Sequence, residues 1–368
     1  MHRRGFLASP VAAFAQDAGT KGAAQVFAYG DGIKQTPAEY ARLLAQLAPG
    51  VESDAYSRGG VVDQLERKVA SALGKETAVW LPTGTLANHL AVRTLAGARR
   101  RVLVQAESHL YNDTGDCAQT LSGLNLIPLA RGKAAFTLAE AEAAAADSAL
   151  GRVAAPVGAI QIETPVRRRR GEQFEFGQMT RIASWARGRQ IGLHLDGARL
   201  FIESAYSRRP VRDYAALFDT VYISMYKYFN AASGAVLAGP KSLLADLFQT
   251  RRMFGGGLPQ VWPCAAVAFH YFAGFEERFT QAVETSEKVL ATLATDGNFE
   301  VERVANGTNV FRLRTTGVNA PVYATRLEET GIGVHAPVDA RWITMQVNES
   351  WARIPPDEIV ARMRKALG

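Results

Sequence analysis

Two short apolar runs, residues 191–195 and 218–224, each give way to a residue whose charge a fold must account for. The first leads to Asp196 and the second to Met225, Tyr226 and Lys227. Each run is partly β-branched or aromatic and is bounded by glycine or polar residues, the signature of a buried strand. Residues 200–217 leave room between them for a crossover helix. The resulting βαβ unit sets Asp196 and Lys227 just past the carboxyl ends of neighbouring parallel strands. That edge of an open α/β sheet is where ligands bind.

The surrounding chain repeats the pattern. Strands are expected at 78–81, 101–105, 124–129 and 157–162, with an edge or antiparallel strand at 234–239. Helices are expected at 61–73, 86–92, 138–146 and 179–189. Alternation of this kind from residue 78 to residue 227 predicts a doubly wound, mostly parallel sheet. Before it, Thr36, Pro37 and Glu39 read as N-cap, first helical residue and capping-box acid of a helix over 37–47. Residues 251–257, ending in three glycines, read as a flexible loop. A long helical stretch from 262 to about 295 leads to a small α+β portion with strands at 309–314 and 342–347 and a last helix at 355–366. The expected division is a large domain over 21–272 and a small one over 273–368.

Residues 1–20 differ in character. Arg3 and Arg4 precede a short apolar stretch and an A-x-A-like site at Ala13–Ala15, which reads as a twin-arginine export signal with a periplasmic product. The alternative is a frayed basic terminus on a cytoplasmic protein. The net charge of +7 favours anionic ligands. The run Arg167 to Arg170 is too short to track a nucleic-acid backbone, so no nucleic-acid partner is expected. No stretch of about 20 apolar residues exists, and no membrane-spanning helix is expected. Cys117 and Cys264, the two cysteines, offer neither a disulfide framework nor metal spacing and read as buried thiols; no metal is expected.

Taken alone, an acid and a lysine at strand ends are better read as a helix cap and a solvated amine, and the rest of the chain has to overturn that reading. A cofactor that needs both is pyridoxal phosphate, whose aldehyde requires an amine for a Schiff base and whose ring nitrogen requires a carboxylate. Three further features suit the same ligand. Thr83, Gly84 and Thr85 form a small, hydroxyl-bearing turn at a helix amino terminus, suited to a phosphate. His109, with Tyr111 as competitor, follows a strand and can stack on a ring. Arg199 lies three residues after the acid.

In chain order these sites resemble the fold-type I pyridoxal-phosphate enzymes, and more closely the threonine aldolase / aromatic amino acid beta-eliminating lyase family. The likeness is carried by residues 82–88, by Glu107 to His109, and by Glu163, Thr164, Pro165 and Arg167. It continues in Asp196-Gly197-Ala198-Arg199, in Ser224 to Lys227 and in 253–257. It implies a seven-stranded, mostly parallel sheet with a small carboxy-terminal domain, and a homodimer or homotetramer. It also implies cleavage of a threonine-like β-hydroxy-α-amino acid to glycine and an aldehyde. Another reaction on the same cofactor, β-elimination, racemisation or transamination, is the alternative. By the same resemblance Lys227 is the Schiff-base lysine, Asp196 pairs with the ring nitrogen and Arg199 approaches the ring hydroxyl. Gly84 and Thr85 hold the phosphate, with Thr83 and Ser224 beside the cofactor. His109 stacks on the ring and it, or a water it positions, is the base. Arg341 and Arg167 hold the substrate carboxylate. Three departures stand out: Gly30-Asp31-Gly32 where the family has serine-aspartate-threonine, Tyr228-Phe229 after the lysine where glycine-leucine is usual, and Pro259 where a basic residue is common.

Overall fold

The computed structural model describes residues 25–33 and 35–368; the suspected export segment lies outside them. A seven-stranded sheet forms its centre, built from β1 (Thr77–Leu81), β2 (Arg101–Gln105), β3 (Asn125–Leu129), β4 (Val157–Glu163), β5 (Gly192–Asp196), β6 (Thr220–Ser224) and β7 (Ala235–Gly239). The spatial order is β1-β7-β6-β5-β4-β2-β3. The pairings within β3-β2-β4-β5-β6 are all parallel, and β7 runs antiparallel to both its neighbours. The α/β expectation therefore holds. β7 is antiparallel but not an edge: β1 closes the sheet beyond it. Strands β4, β6 and β7 are buried along their whole length, as a sheet covered on both faces requires.

Register puts the chemistry in one row. Glu163 pairs with Asp196, and Asp196 with Tyr222. The strand order reverses direction around β2 and β4, so the carboxyl ends of β2, β4, β5 and β6 border one crevice.

Several helices follow their local signals. Pro37–Leu47 has the full capping box between Thr36 and Glu39. Gly60–Leu73 stops at Gly74, whose φ of 65° suits a residue without Cβ. Others differ from expectation. The crossover after Asp196 is two short helices, Leu200–Ser207 and Val211–Ala215. The long stretch from Trp262 breaks at Ala273 and Gly274 into Trp262–Phe272 and Phe275–Ala294, because Gly274 takes φ 67°. Residues 251–253 end a helix, Leu247–Met253, rather than forming a loop. Arg251 is 1% exposed and donates to the carbonyls of Trp80 and Tyr56, which anchors that helix. Both cysteines are free and only half-buried.

A second apolar cluster gathers the antiparallel strands β8 (Phe299–Arg303), β9 (Val310–Thr315) and β10 (Ile343–Gln346), the helices Ala320–Glu329 and Pro356–Lys365, and the carboxyl half of Phe275–Ala294. Val26 and Ala28 also belong to it, since Val26–Phe27 pairs in parallel with Ile332–Gly333. The described residues thus begin in this second cluster, and residues 30–33 reach the edge of the crevice from there.

Candidate active site

Gly84, His109, Glu163, Arg167, Asp196, Arg199 and Lys227 line one cavity at the carboxyl ends of the strands, together with Ala198, Tyr222 and Tyr226. These seven residues, all singled out from sequence, are therefore brought together. Lys227 and Tyr226 also border a neighbouring cavity of about 640 Å³.

Asp196 is held by a relay of neutral groups. Its Oδ2 accepts from Asn88 Nδ2 at 2.6 Å and its Oδ1 from the Ala198 N–H at 3.1 Å. The Asn88 Oδ1 lies 2.8 Å from His194 Nε2, and His194 Nδ1 lies 2.9 Å from Thr220 Oγ1. Asn88 Oδ1 can only accept, so His194 must carry its proton on Nε2 and accept from Thr220 at Nδ1. Burial drives the His194 pKa down to about 4, against the pull of Asp196. The imidazole is neutral and its tautomer fixed. The Asn88 amide then has one allowed orientation, N–H toward the carboxylate.

Lys227 follows β6 after Met225 and Tyr226. Burial lowers its pKa to about 8, with Arg199 adding to the effect and Asp196, Asp31 and Glu163 opposing it. A lysine whose pKa is brought this close to neutrality is a nucleophile. Glu163 accepts from the N–H groups of His109 at 2.5 Å and Arg167 at 2.9 Å. Burial, then Asp196, pushes its pKa up. The His109 pKa is pushed down, chiefly by burial, and its buried Nδ1 has no hydrogen-bond partner among the described residues.

Thr83 caps the helix Gly84–Ala96, its hydroxyl accepting from the Leu86 N–H at 3.2 Å. The N–H groups of Gly84 and Thr85 fall in the first turn, where no intrahelical acceptor exists. A Cβ on Gly84 would lie 2.0 Å from the Tyr222 hydroxyl, so the tight turn requires glycine.

Other expected residues sit elsewhere. Ser224 is fully buried at the end of β6, three residues short of Lys227, and Thr83 is exposed; neither borders the cavity. Arg199 does border it, but its Nε is paired with Asp31 at 2.8 Å. Arg167 reaches Asp113 at 2.5 Å. Arg341 is exposed and outside both cavities. The reason is local: Asp339 accepts from the N–H groups of Arg341 and Trp342 at 2.7 and 2.8 Å, and Arg312 and Arg314 cover the Trp342 ring. This turn sends Arg341 outward. Three site residues are not singled out by the sequence reading: Tyr222, Asn88 and Asp31. Asn88 and Asp31 lie in stretches the reading quotes, but long-range contacts alone give them partners.

The beta-eliminating lyase family model matches residues 34–316. Among curated relatives, the aldolase vrtJ of Penicillium aethiopicum is 31% identical over 61% of this chain and 58% of its own. Alanine racemase TOXG of Cochliobolus carbonum is 28% identical over 59% and 56%. The low specificity L-threonine aldolase of Saccharomyces cerevisiae is 26% identical over 61% and 58%. The chain thus spans under two thirds of the length of these relatives. A crystal structure from Exiguobacterium sp. 255-15, assigned as an aromatic amino acid beta-eliminating lyase/threonine aldolase, is 26% identical with a TM-score of 0.78, covering 93% of this chain and 98% of that one.

Proposed function

Because this chain belongs to the beta-eliminating lyase family, we propose that it is a pyridoxal-phosphate-dependent aldehyde lyase that cleaves a β-hydroxy-α-amino acid to glycine and an aldehyde. The observation that carries this reading is that a fixed carboxylate, Asp196, and a half-buried amine, Lys227, line one cavity. The residue types suit the cofactor; the cavity they line holds about 20 Å³, so the ring would also draw on the adjoining space at Tyr226 and Lys227. Lys227 would bond its aldehyde carbon and Asp196 its ring nitrogen. The open helix turn at Gly84 and Thr85 would take its phosphate, and His109 would cover one ring face. When bound, the cofactor supplies an electron sink for the bond that breaks.

This chain's own groups do the rest. Arg167, at the cavity wall, would hold the substrate carboxylate in exchange for Asp113; the exposed Arg341 supports that role less. His109, neutral and with Nδ1 free, would take the proton of the β-hydroxyl. Lys227, close to neutrality, can hold a proton and return it at the carbon bearing the amino group. In solution the protein would be a homodimer or homotetramer.

Cofactor-loaded protein should release acetaldehyde and glycine in equal amounts from threonine. A yellow protein that frees no aldehyde from any β-hydroxy amino acid overturns the lyase reading. The likeness to a racemase supports a second outcome, inversion of alanine, which a chiral assay on the same sample separates.

A further inference from the structure

The neighbouring cavity shares Lys227 and Tyr226 with the polar chamber. Its apolar lining is Tyr29, Ile33, Pro37, Tyr40, Ala41 and Leu44, with Ala231 and Ala232; Gln35, Thr36 and Asn230 line it too, and it opens to the surface, where Pro37 and Ala41 are exposed. Several polar groups along it are engaged within the protein, while Gln35 Oε1 and Asn230 Nδ2 have no partner among the described residues. The Tyr40 hydroxyl accepts from the Ala232 N–H at 3.0 Å, and the Ile33 N–H donates to Asn230 Oδ1 at 2.9 Å. The Gly30 N–H donates to Gln346 Oε1 at 2.7 Å. Asp31 accepts from Arg199 at 2.8 Å and from Asn309 at 3.4 Å. At Gly32 a Cβ would come within 2.3 Å of the Lys227 carbonyl oxygen. The loop therefore presses directly on the lysine backbone, and the two glycines flanking Asp31 place no hydroxyl between the amine and the apolar walls.

We infer that this cavity seats the β-substituent of the substrate, and that the chain favours β-hydroxy-α-amino acids carrying a long alkyl or aryl group over threonine. The inference rests on the lyase reading above. Its physical basis is the space itself: about 640 Å³ lies within the range of small-molecule sites, which are mostly apolar with few fixed polar groups. A methyl group leaves most of it unfilled. One added methylene in an apolar pocket changes specificity by about tenfold or more.

The test is a series of alkyl substrates whose leaving aldehydes are electronically alike: threonine, 2-amino-3-hydroxypentanoate and 2-amino-3-hydroxyoctanoate, assayed on cofactor-loaded protein. kcat/KM is expected to rise at least about tenfold from first to last, and Ala41→Glu or Leu44→Glu should each collapse the ratio. A flat or falling series, or a ratio indifferent to both substitutions, overturns the inference. In parallel, binding of alanine and of 2-aminooctanoate, which have no β-hydroxyl to cleave, is followed in the visible spectrum of the cofactor. Tighter binding of 2-aminooctanoate without aldehyde from any hydroxy acid upholds the cavity and sinks the lyase reading. Aldehyde release with equal binding of the two upholds the lyase reading and sinks the cavity.

Discussion

Replacing Arg199 by leucine should raise the pH at which Lys227 becomes reactive. In the wild type, burial and Arg199 bring the amine to about 8, from 10.5. At pH 7 about a tenth of it is then neutral, roughly 300 times the share of an ordinary lysine. The substitution removes a cation from beside the amine. It also strips Asp31 of the partner 2.8 Å away, exposing the amine to an unpaired carboxylate. Both changes favour the ammonium form. A charge at this range moves a pKa by about one to three units, and burial, the larger cause, stays; a rise of about one unit is expected. Cofactor-stripped protein would be mixed with pyridoxal phosphate between pH 6 and 10 and the rate of yellow colour followed. The wild-type midpoint should lie near pH 8 and the Arg199→Leu midpoint about one unit higher, with Arg199→Lys close to wild type. A wild-type midpoint near that of a free lysine, or a leucine variant shifted downward, would refute the electrostatic reasoning.

Other perturbations reach other parts of the account. Asn88→Ala removes a bond to the Asp196 carboxylate and leaves the buried His194 Nε2–H without an acceptor; together these should cost about 3–5 kcal/mol in denaturant unfolding, and a loss under about 1 kcal/mol would discount the relay. Gly84→Ala drives a Cβ into the Tyr222 hydroxyl and should destabilise by about 1–3 kcal/mol while weakening phosphate capture, measured by calorimetry with pyridoxal phosphate. Glu203, fully buried, has its pKa raised to about 8 by burial, against the bond from Thr164. The folded state therefore holds a proton that the unfolded state sheds above its ordinary pKa of 4.5, and stability falls as pH rises from 4.5 to 8. Glu203→Gln should gain on the wild type across that window in thermal melts, and parallel melting curves would contradict the assignment.

Where the sequence was readable, a local physical signal existed. The helix Pro37–Leu47 is bounded by its own cap and proline, and β2 by Arg101 and Gln105 flanking the apolar run Val102 to Val104. Asp196 and Lys227 could be placed because both follow strands whose burial is written in their composition. The break at Gly274 was less legible, since one positive-φ glycine splits an otherwise continuous helical pattern. Strand β8 was missed because its middle residues, Glu300 to Glu302, alternate acid with valine and are only partly buried or exposed. The pairing of Val26–Phe27 with Ile332–Gly333 spans some 300 residues, and two-residue strands carry no period. The site shows the same division. Residue types and strand ends were legible; the partners of Asp31, Asn88 and Glu163, and the outward turn of Arg341, depend on contacts between distant segments.

The central claim is that Asp196 and Lys227 grip opposite ends of one flat ring. A crystal structure of the protein grown with pyridoxal phosphate tests it directly. Continuous density from Lys227 Nζ to the cofactor's aldehyde carbon, with the ring nitrogen in hydrogen-bonding reach of Asp196, is the predicted result. A cofactor bound to another lysine, or a ring whose nitrogen faces away from that carboxylate, would contradict it.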